Sequence, residues 1–199
     1  ADHRQWTVFN GIVDDDLTNR WAGEGEQGTD GTEAGYGVDD TYLGTNNLGA
    51  DTTGGTTISG DYLILNLPTA RRFSGVKLYH NIDVSANADN GGRRWPKDWR
   101  IYGRKTTTSP WELIMTQTNS NAPDTTGLSY SLGTPTVDAY QSFAIAVSKV
   151  SVMGTHQVSL NISGLEYFCL EADHKITIGN NCIYDSKNQW WNLNSDIIH

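Results

Sequence analysis

The stretch DYLILNLPTARRFSGVKLYH, residues 61–80, constrains the fold more than any other part of the chain. Tyr, Leu, Ile and Val recur in it at alternate positions or in short runs. β-Branched and aromatic side chains pack well on a pleated surface, and two-residue alternation places one set of them on one face. No window of the 199 residues keeps the i, i+3, i+4, i+7 spacing of an amphipathic helix for more than about two turns. Similar runs recur along the chain, bounded by Gly, Pro, Asn or Ser. They predict strands over Trp6–Ile12, Tyr62–Leu67, Phe73–His80, Trp99–Arg104, Trp111–Thr116, Ser142–Val152 and His156–Leu170. Short strands between turn residues predict an all-β sandwich or jelly roll. Trp99 and Trp111 occupy strand positions and are expected in the core, where buried aromatics dominate packing.

Charge narrows the function. The formal net charge is −9, which disfavours non-specific nucleic-acid binding, a process that depends on Lys and Arg neutralising phosphates. The charge is also unevenly spread. Arg20 to Arg71 contains no basic residue between its ends, whereas nine of the fourteen basic residues fall from Arg71 to Lys105. Such a surface suits a neutral or cation-bridged ligand. The apolar runs are too short to cross a membrane as helices, so no membrane insertion is expected. The opening ADHRQWTVFN has no signal-peptide pattern and reads as the start of a piece of a longer or processed polypeptide.

Residues 22–60 stand apart. They hold eleven of the twenty-one glycines and seven acidic residues, with few large apolar ones. Such a composition buries little apolar area against its ordering entropy, yet compact domains rarely keep so long a connection without a purpose. Tyr36, Tyr42, Leu43 and Leu48 are the residues expected to pin this insertion onto the body. After Leu170 the alternation lapses, so 171–199 reads either as a terminal strand on the same domain or as a connector or oligomer contact carrying Trp190-Trp191. The domain proper is therefore placed at 1–170. Cys169 and Cys182 either close one C-terminal loop or stand as separate thiols. The sequon Asn161-Ile162-Ser163 lies in a predicted strand.

Four segments in order resemble the discoidin-like, or coagulation-factor C-type, domains and the related galactose-binding carbohydrate modules. They are VFNGIVDDDLTNRW, GDYLILNLPTARRFSGVKLYH, WPKDWRIYGRKTTTSPWELI and VSLNISGLEYF. Together they cover most of residues 6–168, interrupted by the Gly-rich insertion. The resemblance implies an eight-stranded antiparallel jelly-roll β-sandwich of the galactose-binding-domain type.

It also implies a calcium site at the first turn, completed by a Glu on the closing strand. Asp14 and Asp16 match the two aspartates of that motif, while Asp15 and Asn19 depart from it. On the closing strand Gly164 stands where the Glu is expected, and Glu166 follows two residues later on the same face. Calcium is a hard cation taking about six to eight oxygen ligands, so Asp14, Asp16 and Glu166 are the candidate metal ligands. An EF-hand counted from Asp14 fails, because Asn19 and Gly25 fall where Gly and Glu are required.

In sugar-binding members the ligand sits on loops at one end of the sandwich. A sugar needs an aromatic ring for its C–H face and directed partners for its hydroxyls. The segment HNIDVSANADNGGRRWP, residues 80–96, combines these types, with Trp95 as the expected platform and His80, Asn81, Arg93 and Arg94 as donors. The competing role for Arg93, Arg94 and Trp95 is to pack the loop on the acidic insertion through surface ion pairs worth about 0–1 kcal/mol each. No nucleophile elbow, zinc-protease helix, Walker loop or dinucleotide fingerprint occurs, and His156 and His174 are isolated. Two functions remain open at this level. One is a non-catalytic carbohydrate-binding or adhesion module on an extracellular, cell-surface or virion protein, with a glycan or glycoprotein as partner. The other is a structural part of a filament, tail fibre or coat that self-assembles through the insertion and the C-terminal tail.

Overall fold

The computed structural model describes residues 21–22, 36, 41–44, 47–52, 55, 57–79, 95–121, 127–151, 160–162, 164–171, 177–178 and 181–182. Twelve strands and no helix occur among them: β1 (Trp21–Ala22), β2 (Asn47–Ala50), β3 (Thr57–Ser59), β4 (Asp61–Tyr79), β5 (Pro96–Arg104), β6 (Glu112–Gln117), β7 (Leu128–Ser131), β8 (Tyr140–Val150), β9 (Asn161–Ile162), β10 (Gly164–Glu171), β11 (Thr177–Ile178) and β12 (Asn181–Cys182). All strand pairs are antiparallel, as the all-β reading requires.

The principal sheet runs β10-β4-β8-β5-β6, with β7 also paired to β4. Residues 61–80 were expected as two strands, but 61–79 form one, and this strand organises the sandwich. Asp61–Asn66 pairs with β8. Beyond a register shift between Asn66 and Arg71, the second half pairs with β10 on one side and β7 on the other. Pro68 keeps Leu67 extended, and the shift frees this stretch from ladder bonds that proline could not donate. A strand that changes partners at such a shift can turn from one layer into the next.

The main core lies between the two halves. Leu63, Phe73, Val76 and Leu78 of β4 meet Phe143, Ile145 and Val147 of β8, Trp99 and Ile101 of β5, and Leu165 and Cys169 of β10. The inward parity of β4 changes after Phe73. Phe73 opposes Cys169 and Gly75 opposes Phe168, so Ser74 is an extra residue and the next inward positions are Val76 and Leu78. Ser74 Oγ donates to the Phe168 carbonyl at 2.9 Å across this bulge.

β8 is buried almost throughout because both of its faces are covered. Its odd residues from 143 to 147 face the main core. Ala144 and Ala146 face a second cluster with Tyr102, Trp111 and Ile58, flanked by Leu48, Tyr62 and Ile64. Leu48 and Ile58 come from β2 and β3, so the Gly-rich stretch supplies a cover for the outer side of the sheet. Thr52 N–H fastens it to the Trp111 carbonyl at 2.9 Å. Gly60 joins this cover to β4 at φ 145°, and a Cβ there would stand 2.4 Å from the Val147 carbonyl oxygen, which leaves room for glycine alone.

Tyr36 and Tyr42 pin the same stretch as expected. They meet edge-on at 5.4 Å, Tyr36 donates its hydroxyl to the Val147 carbonyl at 3.2 Å, and Tyr42 N–H donates to the Ser148 carbonyl. Burial first, and then the nearby Asp61 carboxylate, hold the Tyr36 hydroxyl well above its usual pKa. Leu48 is half-buried on the second cluster. Leu43 departs from expectation: it is 63% exposed and pins nothing.

Trp99 and Trp111 are buried as predicted. Strand β7, LSYS, was not foreseen, because serines at alternate positions hide the two inward residues Leu128 and Tyr130. Cys169 is a buried free thiol, so the loop-closing disulfide is set aside. Burial pushes its pKa up to about 12. The predicted strand Trp6–Ile12 lies outside the described residues, as do Trp190 and Trp191.

Candidate ligand-binding segment and its frame

The roots of the 80–94 segment are Tyr79, the last residue of β4, and Trp95, which precedes β5. His80, Asn81, Arg93 and Arg94 lie outside the described residues, as do Asp14 and Asp16. Of the expected site, the structure therefore places Trp95 and Glu166.

Trp95 corrects the expectation of an aromatic platform. Its relative exposure is 0%, and it belongs to the main core beside Trp99 and Val150. The indole N–H donates to Ser120 Oγ at 3.0 Å, and the Ser120 hydroxyl also contacts the Tyr130 hydroxyl. The Trp95 carbonyl accepts from Ser151 N–H at 2.9 Å. A buried indole with a satisfied N–H stabilises through its large area and offers no ring face to a ligand. The residue is thus an anchor, tying the start of β5 to β7 and to the residue after β8.

A second set of bonds steadies this anchor. Ser120 N–H donates to the Lys97 carbonyl and Asn119 N–H to Asp98 Oδ1, at 2.9 and 2.8 Å. Asn119 takes φ 52°, a left-handed turn conformation that Asn tolerates better than most residues. Tyr130 then packs edge-on against Trp99 at 4.8 Å. Burial raises the Tyr130 pKa, so its hydroxyl stays neutral in this network.

At the other root, Tyr79 lies across the outer face of β4. Ideal Cβ atoms on Gly164 and Gly127 would each approach its ring to 2.9 Å. Its hydroxyl donates to Glu166 Oε1 at 2.7 Å, and Lys77 Nζ stands 4.4 Å from the ring centroid. The Tyr79 contact raises the Lys77 pKa.

These contacts bear on calcium. A Glu at position 164, where the resemblance expects one, would run into the Tyr79 ring. Glu166 is exposed on the solvent face, opposite Lys77, with one oxygen taken by Tyr79. Of the three expected ligands, Glu166 is thus the one the described residues include, and one of its oxygens is engaged by Tyr79. Among the described residues no three His, Cys, Asp or Glu side chains group as metal ligands do.

A further polar cluster surrounds the end of β5. Lys105 pairs with Asp138 at 3.1 Å and Glu112 at 3.4 Å, Glu112 accepts from Tyr140, and the Arg104 guanidinium lies 4.5 Å over Trp111. Lys105 and Asp138 are about half exposed, as in an ordinary surface network.

No family model and no curated protein matches the sequence. Solved structures do resemble it. A GH31 CBM32-2 module bound to GalNAc is 9% identical and matches 81% of this chain and 84% of its own, with a TM-score of 0.48. The CBM32 module of AlyQ, in complex with 4,5-unsaturated mannuronic acid, is 15% identical over 84% of this chain and 88% of its own, with a TM-score of 0.46. The family 32 carbohydrate-binding module of Streptococcus pneumoniae EndoD is 16% identical over 79% and 97%, with a TM-score of 0.43. At TM-scores below 0.5, what those domains bind does not transfer to this chain.

Proposed function

We propose that this chain is a non-catalytic carbohydrate-binding module of an extracellular protein, and that His80, Asn81, Arg93 and Arg94 contact the glycan. The observation that supports it most is the fixing of both roots of the 80–94 segment. Tyr79 is locked by Glu166 and Lys77, and Trp95 by Ser120, Ser151 and the core. A segment rich in His, Asn and Arg with both ends anchored on a rigid sandwich is where recognition usually resides. Three of the four motifs that resemble sugar-binding modules also fall at least partly on β4, β5, β6 and β10, which are joined through one sheet.

The test is a glycan array probed with the intact chain and with a His80→Ala/Arg94→Ala double variant. The chain is expected to retain at least one glycan, and the double variant to lose about tenfold in affinity, equivalent to about 1.4 kcal/mol. Undiminished binding by the double variant would move the site elsewhere. A folded chain that retains no glycan would end the carbohydrate reading.

A further inference from the structure

The outer face of the layer formed by β10, β4 and β7 carries a second set of side chains suited to a sugar. We propose that Phe168, Glu166 and Lys77, all outside the 80–94 segment in sequence, form a subsite for one neutral pyranose on this face. The proposal rests on the carbohydrate-binding reading above and adds a location and a charge preference to it.

The register brings the three together. Phe168 opposes Gly75 and Glu166 opposes Lys77, so the two pairs are neighbouring rows on the same face. Two residues of strand separate them by about 7 Å, a span one pyranose with its hydroxyls can bridge. Phe168 is 40% exposed although it sits in the apolar run EYFCL. Its ring leans toward Gly75, where an added Cβ would stand 3.4 Å from Cδ2. On the far side of Gly75 lies Ser131, small and exposed. Among the described residues no bulky neighbour in that row covers the ring, which is 40% exposed and can stack on an apolar C–H patch.

The second row supplies the polar partners. Lys77 and Glu166 carry opposite charge in register, yet they do not close on one another: the lysine reaches over the Tyr79 ring, and the carboxylate takes the Tyr79 hydroxyl. Tyr79 is wedged between Gly127 and Gly164 and holds both in place. Among the described residues Glu166 Oε2 has no partner, so it can accept from one sugar hydroxyl while the Lys77 ammonium donates to another. Because the two charges balance, the face offers a uronate or a sulfated sugar no net attraction to offset the loss of its hydration, and so favours a neutral hexose.

Calorimetric titration of the intact chain with an array-retained neutral glycan tests this. Phe168→Ala and Glu166→Gln are each expected to weaken binding about tenfold, while Phe168→Tyr, which keeps an aromatic face, restores it. Melting temperatures of Glu166→Gln and Phe168→Tyr should match the parent, so a misfolded Phe168→Ala would leave those two to decide. Unchanged affinity in both Phe168→Ala and Glu166→Gln, with loss in His80→Ala/Arg94→Ala, would overturn the subsite and leave the carbohydrate reading standing. A folded parent chain that binds no glycan would overturn both.

Discussion

Trp95 and Phe168 make an instructive pair. Trp95 follows two arginines in a loop-like, polar stretch, and everything beside it in sequence suggests an exposed ring. Phe168 lies between Tyr167 and Cys169 in a run that reads as core. The structure reverses both: the tryptophan is sealed in the interior and the phenylalanine faces solvent. Strand parity is responsible. On β10 the inward positions are Leu165, Tyr167 and Cys169, so Phe168 must point outward whatever its polarity. At the start of β5 the Ser151 and Ser120 bonds draw Trp95 into the core regardless of its charged neighbours.

The sharpest way to break this comparison is to truncate both rings. Trp95→Ala removes a fully buried indole and one of the two partners of the Ser120 hydroxyl, and it is expected to cost about 3–5 kcal/mol in urea unfolding. Phe168→Ala removes a ring that is partly in water already and should cost about 1 kcal/mol or less. Equal losses, or a Trp95→Ala chain that unfolds at the parent's midpoint, would contradict the anchor role.

Much of the sandwich was legible in the sequence, and the exceptions have physical causes. Alternation in DYLILNL and GVKLYH marked the strand positions of β4, and the burial of Trp99 and Trp111 followed from their places in strands. What could not be read was continuity through LPTA, since a proline in a run normally demotes it and nothing local announces the register shift that accommodates it. β7 was hidden for the opposite reason: only two of its four residues are apolar. The insertion was partly legible through Tyr36, Tyr42 and Leu48, whereas Leu43 failed because one exposed leucine cannot be told from a buried one by type. At the candidate site, the aromatic platform was sought by residue type near Arg and His. Exposure of an aromatic on an outward parity position was the signal that would have singled out Phe168.

A smaller effect sharpens the inner side of the comparison. Tyr167 stacks on Phe143 at 5.5 Å and meets Phe73 edge-on, but its buried hydroxyl finds no hydrogen-bond partner among the described residues. Burial raises its pKa, so the phenol remains neutral at ordinary pH. Tyr167→Phe removes a desolvated oxygen at no cost in shape and should raise the melting temperature by about 2–4 °C, equivalent to about 1 kcal/mol. A lower melting temperature would mean that the hydroxyl has a partner after all.

The smallest expected effect concerns metal. Since Glu166 is engaged by Tyr79 and stands opposite Lys77, Glu166→Gln should leave any difference in melting between added calcium and added chelator as it is in the parent. A calcium-dependent shift that disappears in Glu166→Gln would restore this residue as a metal ligand and withdraw it from the sugar subsite.

In the reading proposed above, recognition belongs to the 80–94 segment and the outer row of Phe168, Glu166 and Lys77, and the interior around Trp95 serves stability. Backbone amide shifts mapped by NMR while an array-retained neutral glycan is titrated in measure that division directly. The predicted result is a set of saturating shifts in residues 80–94 and around Lys77, Glu166 and Phe168, with the β5 and β8 interior unmoved. Shifts confined to any other surface, or none with a glycan that the array shows bound, would contradict it.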